Sequence, residues 1–302
     1  MFDIVFIKSE GKFNHNSYLI DAVMFGMKGN AAIYIIENEG IRLMIDTTTP
    51  AIMIRRIIKK IKEFGLYPIH KLLLTHSHWD HVEGVGKLQS LMKDVKMEVL
   101  ASENAIHTLK HPENINEEYD VNIEPIENII PLKEGDNINL NGLELEIFNF
   151  FGHCQDLIAI LDKKNKNIIA GDAVINRYDK DTFFPVFLSR EFNEKELLKT
   201  FEKLRNLKSE LKENLNCISL SHFGVWKDKE FDLILNQMED LHHQTKNSII
   251  QWYREEASLE YISMKYFETF IPRSTLFTKE KLSGLKLAMQ WLVDGLKISG
   301  FL

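Results

Sequence analysis

Apolar residues alternate or run together at Asp3 to Ile7, Ser17 to Met24, Ala31 to Ile36 and Ile41 to Ile45. Turn signals at Gly11, Gly29-Asn30 and Asn38-Glu39-Gly40 separate the runs, which predicts consecutive strands in an antiparallel meander. From Pro50 to Phe64 the period changes. Ile52, Ile54, Ile57, Ile58 and Ile61 fall at helical spacing, with Pro50 near the start and Gly65 at the end, so a helix covers the meander. Ile69 to Leu74 reads as a buried strand, Val85 to Met92 as a helix and Lys96 to Leu100 as extended. Strands resume at Gly135 to Leu140, Leu143 to Phe150, Leu157 to Leu161 and Asn167 to Ala170, joined by turns such as Asn141-Gly142. Glu194 to Leu207 is an amphipathic helix with Leu197, Leu198, Phe201, Leu204 and Leu207 on one face, and it precedes a strand at Cys217 to Leu220. Beyond Lys227 the pattern becomes almost purely helical, at Phe231 to Tyr253, Ser258 to Tyr266 and Lys279 to Leu296, with Lys297 to Leu302 extended. Sheet faced by helices is the implied α/β architecture, of the α+β type.

Composition narrows the class. A chain of 302 residues with 44% hydrophobic content has ample material for a core, as one large or two modest domains. Two cysteines, Cys154 and Cys217, are too few for a disulfide framework, and the N-terminus lacks the order of a signal peptide. A cytoplasmic protein is expected. The uninterrupted apolar runs are too short for a membrane span. A net charge of −7 gives no global attraction for nucleic acid.

The chemistry is concentrated in one segment. Thr75 to Gly84 reads THSHWDHVEG and places His76, His78, Asp80 and His81 directly after an apolar strand. A loop leaving a strand can turn alternate side chains toward one point, so His76 and His78 can converge on one cation and Asp80 and His81 on a second. Imidazole and carboxylate suit zinc, iron, manganese or nickel. The bland alternative is a His-rich turn with solvated imidazoles, which three histidines and an aspartate at HxHxDH spacing disfavour.

With this motif the chain resembles the metallo-beta-lactamase fold superfamily, whose HxHxDH run is followed by a distant His, Asp and His. His153 follows the strand ending at Phe150, Asp172 follows Ile168-Ile169 in the run Ala170-Gly171-Asp172, and His222 follows Cys217 to Leu220. Each stands at a strand end, where a rigid sheet can hold it. The resemblance covers roughly the first three quarters of the chain. It implies a four-layer αββα sandwich over residues 1–227, with metals at one edge between the sheets, and a helical region over residues 228–302. A winged-helix-type appendage and a helical bundle that packs on the core or forms a dimer contact are both compatible with that region.

The resemblance further implies two divalent ions, zinc first and iron or manganese as alternatives. One is held by His76, His78 and His153, the other by Asp80, His81 and His222, with Asp172 bridging. The implied reaction is hydrolysis by a metal-bridging hydroxide, with Asp80 also the catalytic residue that orients the water and carries a proton to the leaving atom. A small ester, thioester or lactone is the expected substrate. A ribonuclease acting on single-stranded RNA, a mononuclear iron dioxygenase acting on persulfides, and a non-catalytic protein stabilised by its metals are the alternatives. His15, His70, His107, His111, His242 and His243 match no motif and are read as surface or packing residues. Cys154, directly after His153, is read as a small buried residue in preference to a redox or metal role. Tyr178 to Leu188 is too apolar for a solvated loop and either walls a pocket or docks on the sandwich or a partner. Tyr178 could donate a hydrogen bond to a carbonyl oxygen, although it stands farther from Asp172 than the tyrosine of typical homoserine-lactone hydrolases.

Overall fold

The computed structural model describes residues 5–188, 191–278 and 282–302. The first residues of the strand expected from Asp3, and the start of the helix expected at Lys279, lie outside them. In chain order the strands are β1 (Phe6–Ile7), β2 (Gly11–Lys12), β3 (Ser17–Asp21), β4 (Ala32–Asn38), β5 (Ile41–Ile45), β6 (Lys71–Leu74), β7 (Glu98–Ser102) and β8 (Ile129–Leu132). They continue with β9 (Asn137–Leu140), β10 (Leu143–Asn149), β11 (Ile158–Asp162), β12 (Asn167–Gly171), β13 (Asn176–Arg177), β14 (Phe183–Phe184), β15 (Cys217–Leu220) and β16 (Val225–Lys227). The helices are α1 (Ile54–Glu63), α2 (Trp79–Val82), α3 (Val85–Leu91), α4 (Ile106–Lys110), α5 (Glu113–Tyr119), α6 (Glu194–Leu211), α7 (Lys229–Glu255), α8 (Leu259–Phe270) and α9 (Leu282–Ile298).

Strands β2 to β8 form one seven-stranded sheet in sequence order, and the second sheet runs β1-β16-β15-β12-β11-β10-β9. The expected meander is present: β2 to β5 pair antiparallel. From β5 to β8 the pairing is parallel, because helical crossovers such as α1 return the chain to the same end of the sheet. Both sheets are covered on both faces, which is why residues 32–36 of β4, 158–161 of β11 and 168–170 of β12 run apolar without alternating with polar residues. Tyr34, Ile36, Leu43 and Leu73 face Ile147, Ile158, Ile160 and Ile169 between the sheets. Ile33, Ile35, Met44 and Leu72 face outward onto Ile54, Ile57 and Ile61 of α1. On the far side Ala159, Leu161, Ile168 and Ile218 meet Leu197, Phe201 and Leu204 of α6. The result is the expected αββα sandwich. Ile52, placed on the helix face by its spacing, is instead 53% exposed in a short 3-10 turn before α1.

At one edge the sheets are joined by main chain. Ala32 N–H donates to Ser221 O at 2.8 Å and Ile158 N–H to Thr75 O at 2.9 Å. The Tyr34 hydroxyl spans the same gap, lying 2.7 Å from Leu220 O and 2.9 Å from Gly224 O.

Helices α7 to α9 share the apolar core of the second sheet's outer face, through Phe231, Met238, Trp252, Tyr266, Leu285 and Met289 among others. The expected extended tail is not formed. Helix α9 runs to Ile298, Gly300 adopts φ 77°, and Phe301 N–H returns to Leu296 O at 2.9 Å, a left-handed glycine closure of the helix. No strand follows β16 among the described residues, so this region is a helical layer without a wing strand. No described helix is long and apolar enough to cross a membrane.

Candidate metal centre

The joined edge is also where strand ends deliver their polar residues. His76 leaves β6, Asp172 leaves β12 and His222 leaves β15, while His153 lies in the loop between β10 and β11. His78 stands in extended conformation at the N-cap of α2, whose single turn carries Asp80 and His81. The second half of the motif is thus a helical turn, which separates these two side chains from His76 and His78.

Two glycines make the close approach feasible. Gly152 has φ 130°, and a Cβ there would fall 2.4 Å from the Leu197 backbone at the start of α6. Gly171 has φ 57°, and a Cβ would press on the Thr75 side chain at 3.2 Å. Both positions favour the residue without a side chain.

All seven residues singled out from the sequence converge. His76 Nε2 lies 3.0 Å and His153 Nε2 2.9 Å from His78 Nδ1. His222 Nε2 is 3.4 Å from Asp80 Oδ2 and 3.5 Å from Asp172 Oδ2, while His81 Nε2 is 3.6 Å from each of those oxygens. Asp172 Oδ2 is also 3.8 Å from His153 Nε2, so it stands between the two sets.

The far side of each ring fixes its role. His153 Nδ1 lies 2.6 Å from Val186 O and His222 Nδ1 2.7 Å from Asn30 O, so each donates there and turns its Nε2 inward. The Thr75 hydroxyl donates to Asp46 Oδ2 at 2.8 Å and accepts from His76 Nδ1 at 3.0 Å. His81 Nδ1 donates to the same Asp46 oxygen at 3.0 Å. Three inward nitrogens, His78 Nδ1 with His76 Nε2 and His153 Nε2, cannot all be satisfied by one proton. Of the buried side-chain atoms without a hydrogen-bond partner, His81 Nε2 and Asp172 Oδ1 belong to this cluster. A buried unsatisfied polar atom costs about 1–3 kcal/mol, and divalent cations would satisfy the whole set. The donors fit such ions.

Charge is distributed unevenly. Burial and the surrounding imidazoles push His76 well below the usual histidine range, and burial with His153 alongside puts His78 at about 3. Burial lowers His153 as well, against the pull of Asp172. Burial would lower His81 and His222 too, but Asp80, Asp46 and Asp172 raise His81 well above that range, and Asp172 with Asp80 raises His222. Burial disfavours ionised Asp80 and Asp172, yet the imidazoles of His81 and His222 prevail, leaving Asp80 at about 2 and Asp172 below the usual carboxylate range.

Asp46 is the residue that sequence reasoning missed. Its carboxylate accepts Thr75 N–H at 2.7 Å besides the bonds above, and it follows the apolar strand β5 just as Asp172 follows β12. That parallel was the available signal. Trp79, unassigned within the motif, lies between the Phe25, Tyr119 and Trp291 rings.

The bland readings of the remaining residues are consistent with their surroundings. His242 is buried against Phe187, Phe192 and Phe201. It lies with His243 beside Glu194, but Lys246 pairs with that carboxylate and supplies the cation itself. Cys154 is fully buried, and burial with Asp156 nearby pushes its thiol up. The segment from Tyr178 to Leu188 serves both expectations: Tyr178, Phe184 and Leu188 wall a pocket above the cluster, and Phe187 packs into the core. That pocket has about 990 Å³ of empty space, its open mouth included.

Comparison with known proteins agrees with this fold. Residues 26–215 match the model of the metallo-beta-lactamase superfamily. A metallo-beta-lactamase family protein of Thermus thermophilus superposes with a TM-score of 0.59 at 19% identity, over 89% of each chain. A metallo-beta-lactamase of Pseudomonas aeruginosa, solved in a mono-zinc form, superposes at 0.57 and 15% identity, over 78% of this chain and 96% of its own. A third structure, solved in a di-iron-bound form, superposes at 0.51 and 19% identity, over 65% of this chain and 89% of its own.

Proposed function

The chain belongs to the metallo-beta-lactamase superfamily, and on that premise we propose that it is a dinuclear metal-dependent hydrolase of a small ester, thioester or lactone. The observation that carries this reading is the convergence of seven donors into two sets sharing Asp172, at the floor of an apolar pocket. His76, His78 and His153 would hold one ion, and Asp80, His81 and His222 the other. Zinc is the proposed metal, and the same donors accept iron or manganese; the structural relatives include one solved with zinc and one with iron. When bound, such ions supply Lewis acidity and bring the pKa of water toward neutrality.

The chain's own residues supply the rest. Asp80, held ionised down to about pH 2 by His81 and His222 against its burial, takes a proton from the attacking water as it adds and passes that proton to the leaving atom. Tyr178 stays protonated because burial and then Asp172 raise its pKa, so its hydroxyl is a donor for a substrate carbonyl. Phe184, Leu188 and Phe277 limit water around the reacting group.

The test is elemental analysis of the gently purified protein, followed by a panel of lactones, thioesters and aryl esters beside single-stranded RNA. Close to two ions per chain and metal-dependent cleavage of a carbonyl substrate are expected. Asp80→Ala should reduce turnover by about 10²–10⁴-fold while His76, His78 and His153 keep their ion. Near-native turnover by Asp80→Ala, or cleavage confined to RNA, would overturn the proposal.

A further inference from the structure

Asp21 holds an unusual loop. Its carboxylate oxygens accept Val23 N–H and Gly29 N–H, each at 2.9 Å, and between these anchors Val23 and Phe25 both have φ 53°. Left-handed backbone at a β-branched and an aromatic residue is strained, and strain of this kind needs a surrounding structure that enforces it. The loop turns Met24 into the pocket and leaves the Phe25 ring 49% exposed, 5.9 Å from Trp79. From the opposite side α9 brings Leu287, Ala288 and Trp291 to the same pocket, with the Trp291 ring 6.1 Å edge-on to Trp79. Leu287 is 51% exposed. The metal loop is therefore clasped between a strained loop and the last helix, and both present apolar side chains to the opening.

Among the described residues lining this pocket the carboxylates are Asp80 and Asp172, both in the candidate centre, and no Lys or Arg joins them. An anionic tail would lose hydration along this wall and find no cation there, whereas a hydrocarbon tail would gain burial.

We propose that the pocket selects an uncharged substrate with a long apolar acyl chain, and that the 22–31 loop and α9 are the specificity elements, gripping that chain around Trp79. This rests on the hydrolase reading for the reaction, but binding can be tested without turnover. Neutral alkyl methyl ketones of increasing length, which cannot be hydrolysed, are titrated into the full chain while tryptophan fluorescence is followed. Affinity should rise about fourfold per buried methylene until the chain leaves the mouth. Phe25→Asn, which tolerates the left-handed backbone, should flatten this dependence for the longest ketones by about tenfold overall. With metal-loaded protein, the ratio of kcat/KM for dodecanoyl over acetyl esters should fall at least about tenfold in Ala288→Phe, with circular dichroism and thermal melting confirming its fold. An acyl chain ending in carboxylate should be a poorer substrate than its neutral counterpart.

Ketone affinity independent of chain length, or a preference for the carboxylate-ended ester, would overturn the proposal. If Ala288→Phe fails to fold, Phe25→Asn decides: an unchanged length dependence rejects the clasp. Length-dependent ketone binding without hydrolysis of any ester would sink the hydrolase reading while leaving the apolar-chain site standing.

Discussion

At the scale of single residues, the two donor sets differ in how they hold protons. His76, His78 and His153 have lowered pKa values, so at neutral pH their inward nitrogens are free for a cation. His81 and His222 have raised ones, so a cation there must displace protons. Affinity at the second set therefore grows as pH rises through those raised values and falls in acid. Lowering the pH should release the ion held by Asp80, His81 and His222 before the ion held by His76, His78 and His153, whose imidazoles resist protonation. Metal content measured across the titration checks the order; simultaneous loss would contradict it. Asp46→Asn weakens the acceptor shared by Thr75 and His81, and a drop of about 10–100-fold in metal affinity is expected from such an outer hydrogen bond, read by chelator competition. The seven donors were legible because His76 to His81 are neighbours in sequence and the other three each follow a recognisable strand. Asp46 was not, because its partners Thr75 and His81 lie 29 and 35 positions away.

At the scale of elements, strand boundaries at Ile41–Ile45 and Cys217–Leu220 coincide with the apolar runs that predicted them. The parallel order of β5 to β8 could not be read, since periodicity reports which face is buried and says nothing about which strand lies alongside. The tail from Lys297 illustrates a different limit: its polarity resembles an edge strand, while Gly300 and the returning Phe301 amide favour helix closure. A tight junction is Gly152 against α6. Gly152→Ala combines a disfavoured φ with overlap on the Leu197 backbone, and a loss of about 2–4 kcal/mol is expected from strain and overpacking together. Thermal or denaturant unfolding measures it. A variant as stable as the parent would mean that α6 can withdraw without cost.

At the scale of the whole molecule, the pocket is assembled from segments near residues 24–30, 78–80, 119, 153, 172–188, 222, 277 and 284–291. No single stretch announces it, which is why the sequence revealed the chemistry of the floor and only one wall. The main-chain bonds at the edge, from Ala32 to Ser221 and from Ile158 to Thr75, have a consequence for how the protein breathes. Two sheets bound like pages along a spine can part only at the opposite margin, so small fluctuations should leave the spine shut. The Ala32 and Ile158 amides should then exchange with deuterium only on global unfolding, while amides of β8 and β9 exchange through smaller openings. Residue-resolved exchange on the metal-free protein is the informative measurement: slow exchange there would mean that the geometry awaiting the ions is kept by the spine itself, ready before any ion arrives.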